Sequence, residues 1–227
     1  MSTTNYHPSA DLILQYSAGT ASPNQALCVA AHLEFCPSCR QAHQRNNAIG
    51  GKLIESLNGS GQMAVDADLK SKIFGLLDQR QGDSTPTKEI INNTPKRLPR
   101  VLKRLVPNGF ESLNWRLVSP SARSCQLFKD EDGTTVSLVK LMPGGHIAKH
   151  RHLGNEYTVV LTGAFSDEDG VYRAGDFLLR DANEAHRPVA TRDAECICLT
   201  LQEAPLQFTG WLLKLLNPWL RGQFQAG

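Results

Sequence analysis

Residues 144–163 read GGHIAKHRHLGNEYTVVLTG, a pattern of the form G(x)5HxH(x)3E(x)6G. In an extended strand side chains alternate between faces, so His150 and His152 point the same way with Arg151 opposed. Glu156 then returns a carboxylate toward the same point, and Gly163 marks a turn before the next strand. Downstream, residues 175–186 read GDFLLRDANEAH and place His186 eleven residues after a glycine. Three imidazoles and one carboxylate form a donor set that accommodates Fe, Mn, Ni or Zn. His146 lies outside the pattern and is read as an ordinary surface histidine.

Outward from this stretch, short β-type runs are separated by turn signals. The runs are 124–129, 134–141, 157–162, 176–180 and 195–202, and the turns include Asp132-Gly133, Gly144-Gly145 and Asp169-Gly170. Many short strands with no interleaved helices predict an antiparallel barrel or sandwich over 113–204. The apolar tail at 205–227, with its FTGWLLKLLNPWL segment, is expected to pack on that barrel.

The first 80 residues have a different period. Leu12, Ile13 and Tyr16 predict a helix closed by Gly19. Ser22 before Pro23 starts a second, with Ala26, Leu27, Ala30, Ala31 and Leu33 recurring at helical spacing. A third is expected from Pro37 through Leu57, ended at 58–61. A fourth runs from Asp66 to Gln79, with Leu69, Ile73, Leu76 and Leu77 on one face. The Pro-, Ser- and Asn-rich composition after Gln81 predicts a linker over 81–112. The fold class is therefore multidomain α and β: a small N-terminal helical bundle and a C-terminal antiparallel β-barrel.

The segment AHLEFCPSCR carries a second donor set. His32 and Cys36 are four apart and share a helical face, and the CxxC brings Cys39 to the same point. Tetrahedral zinc needs a fourth donor; His7 leads and Cys28 is its rival. Two thiolates in a closed four-ligand site indicate structural zinc. His43 has no ligand-like neighbours and is read as a solvated helix residue. A DNA-binding finger fits poorly, because the spacing is wrong and Asp11, Glu34 and Glu55 balance Arg40, Arg45 and Lys52 over residues 1–60.

Composition bounds the rest. The 227 residues are 41% hydrophobic and 20% charged with a net charge of +2, which suits a soluble protein and argues against nucleic acid as main partner. The N-terminus lacks a basic, then apolar, leader, and the most apolar run, 208–216, is half the length of a membrane span. A cytoplasmic protein is expected. Its six cysteines are then thiols or metal ligands rather than disulfides. Cys196 and Cys198, a CxC on one strand face, are candidates for redox chemistry, with small core residues as the alternative. The basic amphipathic run Lys96, Arg97, Arg100, Lys103 and Arg104 is read as a linker element resting on the barrel.

The HxH(x)3E segment and the later Gly–His segment match the two cupin motifs in order and spacing, except that Asp181-Ala182-Asn183 replaces the usual Pro-x-Gly turn. A helical domain with H(x)3CxxC followed by a cupin resembles the ChrR-type zinc-binding anti-sigma factors over nearly the whole chain. The resemblance implies a helical domain that uses zinc to bind and inhibit an extracytoplasmic-function sigma factor. It also implies a cupin that senses oxidative stress such as singlet oxygen. Carried over residue by residue, the helical zinc ligands fall on His7, His32, Cys36 and Cys39, and the cupin ligands on His150, His152, Glu156 and His186. A second divalent metal, expected to be Zn2+, would occupy the cupin. The alternative is a cupin metalloenzyme, a dioxygenase or isomerase, with an accessory helical domain.

Overall fold

A computed structural model of the chain describes residues 4–57, 67–80, 98–182 and 184–211, with residues 215, 217, 218 and 222 of the tail. The helix stop expected at 58–61, the linker over 81–97 and most of the tail beyond 211 lie outside the described residues. The chain divides into two compact units, Met1–Asn47 with Lys96–Gly227, and Ala48–Pro95.

The helices begin and end where local chemistry dictates. Helix α1 (Ala10–Ala18) is capped by the Ser9 side chain, which accepts from the Leu12 N–H, and stops at Gly19, whose φ of 72° a side chain would oppose. Helix α2 (Pro23–Leu33) starts in a reciprocal capping box between Ser22 and Gln25, with proline at its first turn. Helix α3 (Pro37–Leu57) and helix α4 (Ala67–Arg80) follow. Among the described residues, no helix is long and apolar enough to cross a membrane.

The C-terminal half is antiparallel throughout its strand pairs. Its strands are β1 (Arg116–Ser119), β2 (Ala122–Lys129), β3 (Thr135–Leu141), β4 (His150–His152), β5 (Glu156–Thr162) and β6 (Ala164–Ser166). They continue as β7 (Val171–Arg173), β8 (Phe177–Arg180), β9 (Ala185–His186), β10 (Val189–Ala190), β11 (Cys196–Gln202) and β12 (Leu206–Phe208). The large sheet has the order β1-β2-β3-β11-β5-β8, and two smaller sheets, β10-β6-β7 and β12-β4-β9, complete the cupin. The five runs read from the sequence correspond to β2, β3, β5, β8 and β11, and the HxH pair to β4; the remaining strands, of two to four residues each, carry too little pattern to be seen.

In β5 and β11 six of seven residues are buried, which means that both faces are covered. Val160, Cys196 and Cys198 face inward with Phe165, Tyr172 and Leu178. Tyr157, Val159, Leu161, Ile197, Leu199 and Leu201 face outward, into one apolar core with Leu12, Ile13, Cys28, Val29 and Leu33 of the helices. Leu102 and Val106 fill the same core beside a 3-10 turn at Arg100–Leu102. Glu34 caps this turn, its Oε1 accepting from the N–H groups of Arg100 at 2.5 Å and Val101 at 3.3 Å. The basic run therefore ends in a wedge beneath α2, with Lys103 and Arg104 exposed.

In the Ala48–Pro95 unit, apolar side chains face solvent. On α3 these are Ile49, Leu53, Ile54 and Leu57; on α4 they are Leu69, Ile73, Phe74 and Leu76, each about half exposed or more. The Leu77 side chain lies outside the described residues.

Candidate metal centres

The first donor set converges from four successive parts of the helical segment. His7 stands on the extended segment before α1, His32 in the last turn of α2, Cys36 in the following loop and Cys39 in the first turn of α3. Their ligand atoms all lie within 4.8 Å of one another. His7 Nδ1 is 3.4 Å from both the Cys36 and Cys39 sulfurs. Donors around a tetrahedral ion with bonds of about 2.0–2.3 Å stand roughly 3.3–3.8 Å apart, so the spacing fits. His32 Nδ1–H donates to the Gly175 carbonyl at 2.7 Å. That bond fixes the tautomer and leaves Nε2 buried, without a hydrogen-bond partner among the described residues. An orphaned buried nitrogen beside two thiols is the arrangement a metal would satisfy.

The electrostatics agree. Burial lowers the His32 imidazole to about 4, against the weaker pull of the Gly175 carbonyl, so it is neutral and ready to coordinate. Burial pushes the Cys36 thiol up, but hydrogen bonds with Ser38, Thr4 and Cys39 bring it down to about 6. Burial, then the neighbouring Cys36 sulfur, raise Cys39 to about 12. One thiolate thus stands ready, and a cation would draw out the second. Cys28, the rival fourth ligand, is instead a core residue that burial raises to about 12. His43 is half-buried rather than solvated, with Ser17 Oγ 2.9 Å from its Nδ1, bridging α3 to α1.

The second set sits inside the barrel. Strand alternation buries His150 and His152 around an exposed Arg151, and β9 pairs with β4 so that His186 lies opposite His150. His186 Nε2 is 3.1 Å from His150 Nε2 and 3.4 Å from His152 Nε2. These three imidazoles form a group able to hold a metal ion. Glu156 adjoins it, its Oε2 3.0 Å from His152 Nε2 and 3.8 Å from His186 Nε2. The outer nitrogens of two imidazoles are held: His150 Nδ1 donates to the Ala148 carbonyl at 2.9 Å, and His186 Nδ1 meets Asp167 Oδ2 at 3.4 Å.

Burial and then His186 lower His150 to about 4. Burial alone would raise Glu156, yet His152 and the other two imidazoles hold it well below the usual carboxylate range. A permanent anion among imidazoles is an electrostatic trap for a divalent cation. A cavity of about 170 Å3 runs alongside, lined by His150, Glu156, His186, Thr158, Cys198 and Phe208. Ligand pockets usually span about 300–1,000 Å3, so this space suits only a very small molecule or a few waters. Cys196 and Cys198 face the same interior with their sulfurs 3.7 Å apart, both buried. The Cys196 thiol and burial hold Cys198 well above its ordinary range. His146 is exposed and takes no part in either group.

Residues 108–205 match the ChrR cupin-like domain. Over 220 residues the chain is 33% identical to the anti-sigma-E factor ChrR of Cereibacter sphaeroides, covering 96% of this chain and 99% of that protein. The chain belongs to the ChrR family. The fold agrees with a chain in the crystal structure of Rhodobacter sphaeroides SigE in complex with the anti-sigma ChrR. The TM-score is 0.70 and the identity 29%, over 88% of this chain and 99% of that one.

Within this ChrR-family chain, three supporting residues escape the motif reading. Gly175 orients His32, Asp167 orients His186, and Asp176, which is fully buried, anchors the segment that carries His7. Gly175 and Asp176 do sit in the quoted second segment, but only as its leading glycine and the first residue of a β-type run. Asp167 lies in the Asp167–Gly170 turn, where acidic residues are ordinary, so its spacing carries no metal signature.

Proposed function

We propose that this protein is an anti-sigma factor that binds and inhibits an extracytoplasmic-function sigma factor and releases it under oxidative stress, such as singlet oxygen. The observation that carries the reading is the likeness, over nearly its full length, to the anti-sigma-E factor ChrR, together with the fold shared with a chain of the SigE–ChrR complex. The exposed apolar residues of α3 and α4 support it. An amphipathic helix lays such a face into a partner's groove with anchors at i, i+4 and i+8, the spacing of Ile49, Leu53 and Leu57. In this reading residues 1–80 form the partner-binding domain, 81–112 the linker, 113–204 the sensing cupin and 205–227 an extension of it. The protein acts in the cytoplasm, where sigma factors act, as a regulator rather than an enzyme.

Zinc is the ion we assign to His7, His32, Cys36 and Cys39, because two thiolates with two imidazoles make a closed soft-donor set. We assign a second divalent ion, Zn2+, to His150, His152, His186 and Glu156. Of the cysteines, Cys196 and Cys198 are the candidates for redox sensing: Cys198 lines the barrel cavity, through which a small oxidant would reach it, and the Cys196 sulfur lies 3.7 Å behind it. Co-expression with the sigma factors of the same organism, followed by affinity capture, tests the main reading. A one-to-one complex is expected, and Leu53→Asp in α3 should weaken it by at least about tenfold, the effect of losing one interface anchor. Failure to capture any sigma factor would overturn the proposal.

A further inference from the structure

We infer that the barrel completes the helical metal site: the Gly175–Asp176 turn positions two of its four ligands, His32 and His7. The inference rests on the reading that His7, His32, Cys36 and Cys39 hold a metal.

Both contacts cross from the barrel to the helical segment. The Gly175 carbonyl accepts from His32 Nδ1–H at 2.7 Å and aims Nε2 at the thiols. Among the described residues no hydrogen bond joins the His7 side chain to the barrel; the backbone just before it, at Asn5 and Tyr6, is held instead. Asp176 Oδ1 accepts from the Asn5 N–H at 2.7 Å and from the Tyr6 N–H at 3.3 Å, while Phe177 N–H donates to the Tyr6 carbonyl at 3.1 Å. The Tyr6 ring rests on Tyr172 with centroids 4.7 Å apart. The other Asp176 oxygen is spent inside the barrel, accepting from the Arg173 N–H at 2.8 Å, so the carboxylate is rigid. Asp176 is 1% exposed, and a buried carboxylate with its oxygens bonded this way is a fixed post rather than a loose tether.

The same turn opens β8, and the far end of β8 serves the other centre. Arg180 donates at 2.6 Å to Asp167 Oδ2, the oxygen that faces His186 Nδ1, and to Asp169 Oδ2 at the same distance. Arg180 also stands opposite Glu156 in the β5–β8 ladder. Four residues of paired strand, roughly 13 Å at about 3.3 Å each, separate the supports of the two sites. The β5–β8 ladder pairs every residue from Phe177 to Arg180, so one strand carries the supports of both sites.

The test uses the full-length, metal-stripped chain titrated with Co2+. Thiolate-to-cobalt charge transfer arises only where cysteine coordinates, so it reports the helical site, while cobalt at the His/Glu site is read from its ligand-field bands. Asp176→Ala is expected to weaken Co2+ at the thiolate site by about 10–100-fold, the usual effect of losing a supporting partner, and to leave the ligand-field site unchanged. If Asp176→Ala does not fold, Asn5→Pro carries the test. It removes the 2.7 Å donor from an exposed position and is expected to weaken the thiolate site severalfold. A folded variant whose thiolate-site affinity stays within about twofold of the parent overturns the inference. A parent chain with no charge-transfer band overturns the metal reading beneath it.

Discussion

Gly175→Ala separates the contribution of the barrel turn from that of the metal. Gly175 has a φ of +100°, and a Cβ there would lie 2.6 Å from Thr4 Cγ2 and 2.8 Å from Phe35 Cβ. The backbone part costs about 1–2 kcal/mol, because an L side chain is strained at positive φ wherever its neighbours lie. The contact part adds about 1–2 kcal/mol, the lower range of overpacking. Thr4 can swing aside, but Phe35 sits one residue before Cys36 and cannot. With metal bound, the total is about 2–4 kcal/mol, and since each kcal/mol moves the midpoint of a chain this size by roughly 2–4 °C, the drop is about 4–16 °C. With metal removed, the Phe35 loop is free to give way and only the backbone part remains, about half the effect. Thermal melts of parent and variant, each with and without chelator, measure both values. Equal drops in the two conditions would show that the turn does not press on the metal-bearing loop. A drop below about 2 °C in both would refute the geometry altogether.

Asp167→Ala should weaken metal at the cupin centre by about 10–100-fold, as isothermal titration would show, because His186 loses the carboxylate that orients it. In the metal-stripped chain, burial holds His32 and His150 at about 4, against about 6.5 when unfolded. The unfolded chain takes up protons first as the pH falls, so stability is full above pH 6.5 and is lost between 6.5 and 4, by at most about 3 kcal/mol per imidazole. His152, raised because Glu156 outweighs burial, works in the opposite sense and offsets part of this. Urea midpoints that stay flat over that range would contradict the burial argument. Cys196 and Cys198, 0% and 6% exposed, should resist a bulky alkylating reagent until the barrel unfolds, yet react with a small oxidant. Mass spectrometry of the native chain that found either thiol alkylated first would remove the cavity route. If replacing both with serine left release of the sigma factor unchanged, their sensing role would fall.

The parts legible in the sequence are those whose geometry is local. HxH on a strand and HxxxC on a helix place two donors together through the backbone period alone, so His150 with His152 and His32 with Cys36 follow from spacing. Ser22-Pro23 and Gly19 announce helix ends for the same reason. His186 is legible only through the family's two-segment motif, because the β4–β9 pairing that delivers it is set by the whole topology. Gly175 and Asp176 meet His32 and Asn5 across separations of 143 and 171 residues, and no local period reaches that far. One signal of the contact was present. Tyr157, Val159 and Leu161 alternate with inward residues in β5, and Ile197, Leu199 and Leu201 do so in β11, so both strands are apolar on the face that an isolated barrel would turn to water. Such a face requires a cover, and α2, whose Cys28, Val29 and Ala31 are wholly buried, is that cover. The pairing of helix with barrel was thus written in the hydrophobicity of the strands. The identity of the bond that makes the pairing matter, His32 to a glycine carbonyl, was not, because a carbonyl has no letter in the sequence.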